Sequence, residues 1–383
     1  MAQNQFNRKA KQEYFGAAPN VFVGRYGYPR VNVGILNTEH DQFGEHDNTP
    51  LWAKENYKIP QIMDLRLQLI NSRFKANIKS FDEKFMDMTQ EVSMASKPVD
   101  IELALNKKPH FNINFNQDVK PHGTNVKLEK ARITENPKIH TKVDKIVSDT
   151  DLKAAQGLSK LYKKDFDGYF LTKLFSVGNL GIGKNRKLVP TRWSITAVDD
   201  TLGKSLLNDV RDYKQTNYLA FFSSYLGNYY VVLMFPEIWQ YELFETYAGA
   251  LGGVKDDMMT RKWMTDYEPF GGRKKYVEQT AGGYYAAKLP VLEYLKQKKR
   301  QASVLVLRFI TTDYYAHLGV WVCREAVRKA MQNNPIEFAS KDLMLEYVRK
   351  LAKKKFGYNV NPILHNSKVL DNLGKQSKLA AFF

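Results

Sequence analysis

The sequence predicts a mixed α/β protein of the α+β class, with a large body of sheets and helices and a flexible C-terminal tail. Its 43% hydrophobic and 26% charged residues are typical of a folded globular protein. Short β-branched and aromatic runs alternate along the chain with segments of helical periodicity. With 383 residues, the chain is long enough for two domains or one large domain with appendages.

We expect four segments, because the composition and the periodicity of the sequence change along the chain. Residues 1–20 are polar and basic without periodicity and predict a basic N-terminal arm. Residues 21–275 predict a main α+β domain, and residues 276–363 a C-terminal α/β region. Residues 364–383 are polar with isolated apolar positions, which indicates a flexible tail.

The first predicted elements are two short strands around a tight turn within residues 21–34. There, β-branched and aromatic residues are interrupted by glycines and a proline. The following segment, from Asp64 to about Thr89, has apolar positions at helical spacing and predicts a helix with a basic face. That basic face is formed by Arg66, Arg73, Lys75 and Lys79.

Further strands and helices follow in an order compatible with layered sheets and helices. The predicted strands are Val99–Leu103, Phe111–Phe115, Trp193–Val198, Tyr229–Phe235 and Ser303–Phe309. The predicted helices are Asp151–Leu161 with Asp151 as N-cap, Leu202–Tyr213, Glu237–Leu251, Val291–Lys299, Val320–Gln332 and Lys341–Lys354.

The charge balance points to a polyanionic partner. The chain has 58 Lys and Arg against 40 Asp and Glu, a net charge of +18. Nucleic acid is the first candidate, an anionic membrane surface the second, and solubility alone the third explanation. We expect no membrane insertion, because no apolar stretch reaches the roughly 20 residues needed to span a bilayer. Cys323 is the only cysteine, so we expect no disulfide and no zinc finger. Our leading interpretation also includes no bound metal and no cofactor.

A glycine-rich segment matches part of the pattern of a nucleotide-binding loop, but it lacks the hydroxyl residue and the helix that should follow. Gly178–Lys184 matches the glycine-lysine frame, yet Asn185 stands where magnesium needs a hydroxyl, and Pro190 soon interrupts the helix. The longer segment Ser176–Val198 has four basic residues and no acidic one, which favours contact with a nucleic-acid backbone; a solvated loop is the alternative. Its candidate binding residues are Lys184, Arg186, Lys187 and Arg192.

Two other basic regions are candidates for nucleic-acid binding. Arg25 and Arg30 flank the first predicted turn. The segment Gly271–Arg300 has eight basic residues against two acidic ones and contains glycines and tyrosines, a combination suited to phosphates and bases. Its candidate binding residues are Arg273, Lys274, Lys275 and Tyr284, although Tyr284 fits a core position equally well. We assign Trp193 to the core.

Paired aspartates keep an enzymatic alternative open. Asp149 with Asp151, and Asp199 with Asp200 at the end of a predicted strand, are residues able to hold a catalytic metal for attack on a phosphodiester. Alternatively, Asp151 and Asp200 cap helices, a structural role that requires no catalytic function. The catalytic residues, if any, stay unknown. A scaffold whose basic face meets protein or RNA is a third possibility.

The last eight residues carry a short motif, Gln-x-x-aliphatic-x-x-aromatic-aromatic. It resembles the peptide that docks on the sliding clamp of DNA replication, PCNA. One 3₁₀ turn would place Leu379 beside Phe382 and Phe383 as a single apolar plug, and Gln376 would fill a polar pocket. The alternative is a tail that folds back onto its own domain.

Several longer segments resemble the archaeal Nre family of DNA repair proteins. They are Phe22–Pro29, Ser96–Asp100, Arg132–Lys138, Lys142–Lys153, Asn185–Asp200 and Gly282–Tyr285. The resemblance implies a cytoplasmic, nucleoid-associated repair factor that acts with the clamp and with nucleotide-excision proteins. It implies no catalytic residues. Family members often begin with a cysteine-rich metal-binding segment, and here no cysteine precedes Cys323.

Overall fold

The computed structural model describes residues 11–39, 44–79, 84–109, 123–248 and 263–375. It has both helices and sheets, which confirms the α+β class. The chain forms two compact units, residues 1–202 and 203–383.

The first unit contains a closed five-stranded barrel. Its strands are β1 Glu13–Val23, β2 Arg30–Thr38, β3 Ile70–Asn77, β4 Val99–Leu105 and β5 Asn125–Ile133. They follow each other around the barrel in the order β1-β2-β3-β5-β4, and β4 pairs with β1 to close it. Strands β3 and β5 are parallel, and the other neighbours are antiparallel. Because β1 starts at Glu13, part of the expected arm belongs to the barrel.

The connections complete an OB-type arrangement. Helices α1 Thr49–Lys54 and α2 Ile59–Gln68 lie between β2 and β3, and α3 Met86–Met94 lies between β3 and β4. Met86 and Val92 of α3 belong to the same apolar cluster as the barrel strands. This strand order, with parallel β3 and β5 and a helix between β3 and β4, is that of the five-stranded Greek-key barrel called the OB-fold.

The barrel follows from a period of two in the sequence. In β2, Val31, Val33 and Ile35 are buried, while Arg30 is exposed. In β3, Phe74 and Ala76 are buried around an exposed Lys75. The predicted hairpin within residues 21–34 is confirmed by the pairing of β1 with β2. The long helix predicted from Asp64 to Thr89 is wrong, because this alternation places its middle in strand β3.

The rest of the first unit is helical, with α4 Thr141–Ser148, α5 Ala154–Tyr162, α6 Gly168–Ser176 and the start of α7 Thr191–Val210. Asp151 is not an N-cap, because α5 begins at Ala154 and its N-cap residue is Lys153. The strand predicted for Trp193–Val198 is also wrong. Its residues form the first turns of α7, and the backbone N–H of Trp193 donates to the carbonyl of Pro190 at 2.8 Å.

The second unit is built on a six-stranded sheet of order β10-β9-β12-β8-β7-β13. Its strands are β7 Tyr218–Tyr225, β8 Asn228–Phe235, β9 Gln240–Tyr247, β10 Met264–Glu268, β12 Ser303–Ile310 and β13 Ile336–Phe338. Strand β12 is parallel to β9 and antiparallel to β8. A short separate pair joins β6 Lys214–Gln215 to β11 Arg300–Gln301. The helix predicted over Glu237–Leu251 is wrong, because residues 240–247 form a buried strand.

Helices cover both faces of this sheet. They are α8 Ala281–Lys298, α9 Trp321–Gln332, α10 Lys341–Phe356, α11 Asn361–Asn366 and α12 Lys368–Lys375. Helix α9 packs on β7 and β8, while the other face shares an apolar core with α10, α11 and α12. Val369 of α12 and Ile363 of α11 are buried in that core. The described part of the expected tail is therefore folded as far as Lys375.

Candidate nucleic-acid interface

The turn between β1 and β2 forms a tip at one end of the barrel. The N–H of Gly24 donates to the carbonyl of Asn32 at 2.7 Å. The N–H of Arg30 donates to the carbonyl of Gly27 at 2.9 Å. Gly27 has a φ of 84°, a conformation that suits glycine. Because these bonds use only backbone groups, the side chains of the turn are left to point outward.

Two other segments reach the same tip through hydrogen bonds, two of them between backbone groups and one to a threonine side chain. The N–H of Ile78, just after β3, donates to the carbonyl of Pro29 at 3.0 Å. The N–H of Leu188 donates to the carbonyl of Ile78 at 2.8 Å. The N–H of Val23 donates to Oγ1 of Thr191, the first residue of α7, at 2.9 Å. The turn, the end of β3 and the start of α7 are thus held together.

Exposed aromatic side chains mark this tip. Tyr26, Tyr28 and Trp193 are 73%, 51% and 49% exposed. The rings of Tyr28 and Trp193 lie 6.1 Å apart between centroids, tilted by 48°. The guanidinium of Arg25 lies 4.8 Å from the centroid of the Tyr26 ring. The assignment of Trp193 to the core is wrong, because α7 turns this side chain toward the hairpin and solvent.

Basic residues continue from the tip along the outer face of the barrel. In the strand pairing, Asn32 of β2 lies opposite Lys75 of β3, and Arg73 of β3 lies opposite Lys127 of β5. Lys75 and Lys127 are exposed, and Arg73 is half-buried. We define the hairpin-tip surface by these aromatic and basic residues. They are Arg25, Tyr26, Tyr28, Arg30, Arg73, Lys75, Lys127, Arg192 and Trp193.

Sequence reasoning found only part of this surface. It singled out Arg25 and Arg30 of the hairpin and Arg192 of α7, and the structure brings these two segments together at the tip. It missed Arg73, Lys75, Lys127 and the aromatic residues as site residues. Alternating basic and apolar residues in β3 were the signal for Arg73 and Lys75, but helical periodicity concealed it.

The glycine-rich loop of the first unit contributes unevenly. Lys187 is exposed and precedes Leu188, which is bonded to Ile78, and Lys184 is exposed in a 3₁₀ turn. Arg186 instead has an internal role. Its guanidinium donates to the carbonyls of Gly181 at 2.8 Å and Val147 at 2.6 Å, and burial lowers its pKa. Arg186 therefore fastens two loops together rather than facing a ligand.

The candidate residues of the second unit are divided between surface and core. Lys274 and Lys275 are exposed. Arg273 donates to the carbonyl of Tyr267 at 2.9 Å and lies 3.7 Å from the carboxylate of Asp266, so it organises its own loop. Tyr284 is fully buried in α8 and packs edge-on against Tyr241 at 5.0 Å. Its assignment to a nucleic-acid surface is corrected: the ring is a core residue.

The four aspartates do not form a metal centre. Asp149 and Asp151 are exposed in the loop after α4, where the backbone N–H of Asp151 donates to Asp149. Asp199 is buried within α7, and Asp200 follows it in the same helix rather than at a strand end. Within the described ranges, no three His, Cys, Asp or Glu residues are grouped so that they would hold a metal ion.

A cleft of about 750 Å³ in the first unit has a different character. Acidic residues outnumber basic ones along its walls: Glu39, Glu45, Asp100 and Glu135 against Lys97 and Lys138. This excess of carboxylates disfavours a phosphate ligand. The hairpin-tip surface, which combines cations with aromatic rings, is the better candidate for a nucleic acid.

Across the ranges that the structure describes, no helix has the length and apolarity to cross a membrane. The motif residues Gln376, Leu379, Phe382 and Phe383 lie outside the described residues, as does the strand predicted for Phe111–Phe115.

Fold and site together define a two-unit α+β protein whose first unit is an OB-type barrel with an exposed basic and aromatic tip. Comparison with known proteins places the chain in a family. Residues 1–250 match the family model described as archaeal Nre, N-terminal, and residues 268–382 match archaeal Nre, C-terminal. The chain belongs to the archaeal Nre family.

Three relatives have curated names. The chain is 37% identical to DNA repair protein NreA of Archaeoglobus fulgidus, over 95% of this chain and 88% of that protein. It is 35% identical to DNA repair protein NreA of Haloferax volcanii, over 83% of this chain and 78% of that protein. It is 33% identical to DNA repair protein NreB of Archaeoglobus fulgidus, over 87% of this chain and 83% of that protein. No solved structure matches the chain.

Proposed function

We propose that this protein is a DNA repair factor that binds DNA through the hairpin-tip surface of its first unit. The names of its relatives, DNA repair proteins NreA and NreB, support the repair role. The net charge of +18 supports a polyanionic ligand, because each phosphate contact releases counterions.

The observation that carries the proposal is the meeting of cations and exposed rings at one tip. Arg25 and Arg192 come from segments far apart in sequence, yet the pairing of Tyr28 with Trp193 brings those segments together. Arg30 and Lys75 extend the positive charge along β2 and β3. Apolar rings left in solvent beside such cations offer both phosphate and base contacts.

Charge reversal at the tip tests DNA binding. The variant Arg25→Glu with Arg192→Glu should weaken binding to a labelled oligonucleotide by at least about tenfold at low salt, because two phosphate contacts become repulsive. The measurement is fluorescence anisotropy across a salt series. A control with the same change in net charge is Lys54→Glu with Lys350→Glu, both exposed residues elsewhere. Equal losses in the two variants would show that only overall charge matters.

We further propose recruitment to the sliding clamp PCNA through Gln376, Leu379, Phe382 and Phe383. The support is the match to the clamp peptide and its position directly after α12, which is fixed to the second unit. A tether of this kind raises the local concentration of the body at DNA. Association with the nucleoid and cooperation with nucleotide-excision proteins are part of the same proposal.

A further inference from the structure

We propose that the hairpin-tip surface binds single-stranded DNA, with bases stacked on Tyr26, Tyr28 and Trp193. This inference rests on the proposed function and specifies the form of DNA that the site takes. It is carried by three independent features of the first unit: the exposed rings, the spacing of the cations and the barrel topology.

The rings are placed for open stacking. Tyr28 and Trp193 are inclined to each other at 48° and too close to enclose a base between them, so a base would stack on an outer face. About half of each side chain is exposed, and Tyr26 is exposed further. Stacking of this kind needs a base whose face is free, which a single strand provides.

The cations are arranged for an extended backbone. Arg73 and Lys75 are two residues apart on β3, roughly 7 Å along the strand, and both point outward. Lys127 lies beside Arg73 on the neighbouring strand. Such a row of charges matches the phosphates of an extended strand that runs across the sheet from the aromatic tip.

The topology points to the same ligand. In OB-type barrels, the loop between the first two strands and the face of strands 2 and 3 are the surfaces that bind oligonucleotides. Tyr26 and Tyr28 lie in that loop, and Arg30, Arg73 and Lys75 lie on those strands. A duplex is disfavoured, because its bases would have to be unstacked before they reached the rings, which cancels the gain from stacking.

The test compares single-stranded and duplex probes on the full chain. The stacking variant carries Tyr28→Leu and Trp193→Leu, and the matched control carries Tyr315→Leu, an exposed tyrosine of the second unit. The probes are labelled oligo(dT) of about 15 nucleotides, within the site size of one OB barrel, a duplex of equal length and oligo(U). Circular dichroism and thermal melting check that each variant is folded.

We expect the wild type to prefer oligo(dT), and the stacking variant to lose about tenfold or more in affinity for it while duplex binding changes little. A second variant, Tyr26→Leu, should show a smaller loss of the same kind. The charge variant Arg73→Gln with Lys75→Gln should weaken both probes and lower the salt slope by about 2.

The outcomes separate the two proposals. If the wild type bound neither DNA probe at low salt, the proposed function would fail. If it bound DNA but the stacking variant kept full affinity for oligo(dT), or if duplex or oligo(U) bound more tightly, the function could stand and the single-strand inference would be overturned.

Discussion

Lys173 is a charged residue in an environment that disfavours its charge. It lies buried in α6, where its ammonium donates to the carbonyl of Ala95 at 2.9 Å and sits 4.9 Å from the ring of Phe170. Burial lowers its pKa to about 8, although Asp167 and Asp47 oppose the change. Near neutral pH the folded state therefore holds a charge that the unfolded state accommodates more easily.

This conflict predicts an unusual pH dependence of stability. As pH rises above 8, folded Lys173 releases its proton while the unfolded side chain, with its ordinary pKa of 10.5, keeps it. The free energy of unfolding should gain about 2 kcal/mol from this residue between pH 7.5 and 9.5. Urea unfolding of the wild type and of Lys173→Met measures it, with the exposed Lys160→Met as control. The gain should vanish only in Lys173→Met; a parallel pH profile in all three proteins would contradict it.

Single residues also show where sequence reasoning reaches its limit. Trp193 was expected in the core and is half exposed, whereas Tyr284, for which the sequence left both a surface and a core position open, is fully buried. Both tyrosine and tryptophan suit either environment, because each has an apolar ring and a polar group. What decides is the orientation of the helix that carries them, and one sequence does not contain that orientation.

At the scale of elements, α12 depends on one carboxylate from the sheet. Glu242 of β9 accepts hydrogen bonds from Oγ of Ser367 at 2.6 Å and from the N–H groups of Lys368 and Val369 at 3.1 Å each. Burial raises its pKa, while these hydrogen bonds and Lys368 act in the opposite direction. An acid at this position satisfies the unpaired N–H groups of the first helical turn.

Removing that carboxylate should release the helix. In Glu242→Ala, the opening free energy of Lys368–Lys375 should fall by about 3 kcal/mol, because hydrogen bonds to a charged group are lost. Amide hydrogen exchange measures it. Glu242→Gln, which keeps an accepting oxygen, should lie between that variant and the wild type. In the control Ser340→Ala, the loss should be about 1 kcal/mol and confined to the start of α10. Unchanged exchange in Lys368–Lys375 would refute the role of Glu242.

Elements with a clear period were predicted well, and ambiguous ones were not. The β1–β2 hairpin, strand β12 and helix α10 were confirmed: glycines and a proline mark the hairpin turn, β12 is a short run rich in valine and leucine, and α10 keeps helical spacing. Residues 240–247 were taken for a helix, since a strand buried on both faces shows no alternation. The first turns of α7 were taken for a strand because they contain Ile195, Thr196 and Val198; contacts with the barrel overrode that preference.

At the scale of the whole molecule, the clamp proposal predicts that affinity for the clamp resides in the last residues. Burying Leu379, Phe382 and Phe383 is worth roughly 1.5–3 kcal/mol each before the cost of ordering the chain. Phe382→Ala with Phe383→Ala should therefore reduce clamp affinity by about a hundredfold or more while the fold and DNA binding stay intact. Isothermal titration with purified clamp measures the loss.

The control for that experiment is Ser377→Ala with Lys378→Ala, at positions that the motif leaves open. Its clamp affinity should remain close to that of the wild type. Clamp binding that survived the loss of both phenylalanines would show that another surface is responsible, and the tail would then need a different explanation.

The backbone bonds that join Pro29, Ile78 and Leu188 have a consequence for engineering. Carbonyl and amide groups remain whatever side chain is attached, so these bonds do not depend on the side chains of Arg25, Tyr26 or Arg192. A library randomised at Arg25, Tyr26 and Arg192 should retain its scaffold while its ligand preference changes. The barrel thereby offers a platform on which new specificities can be selected.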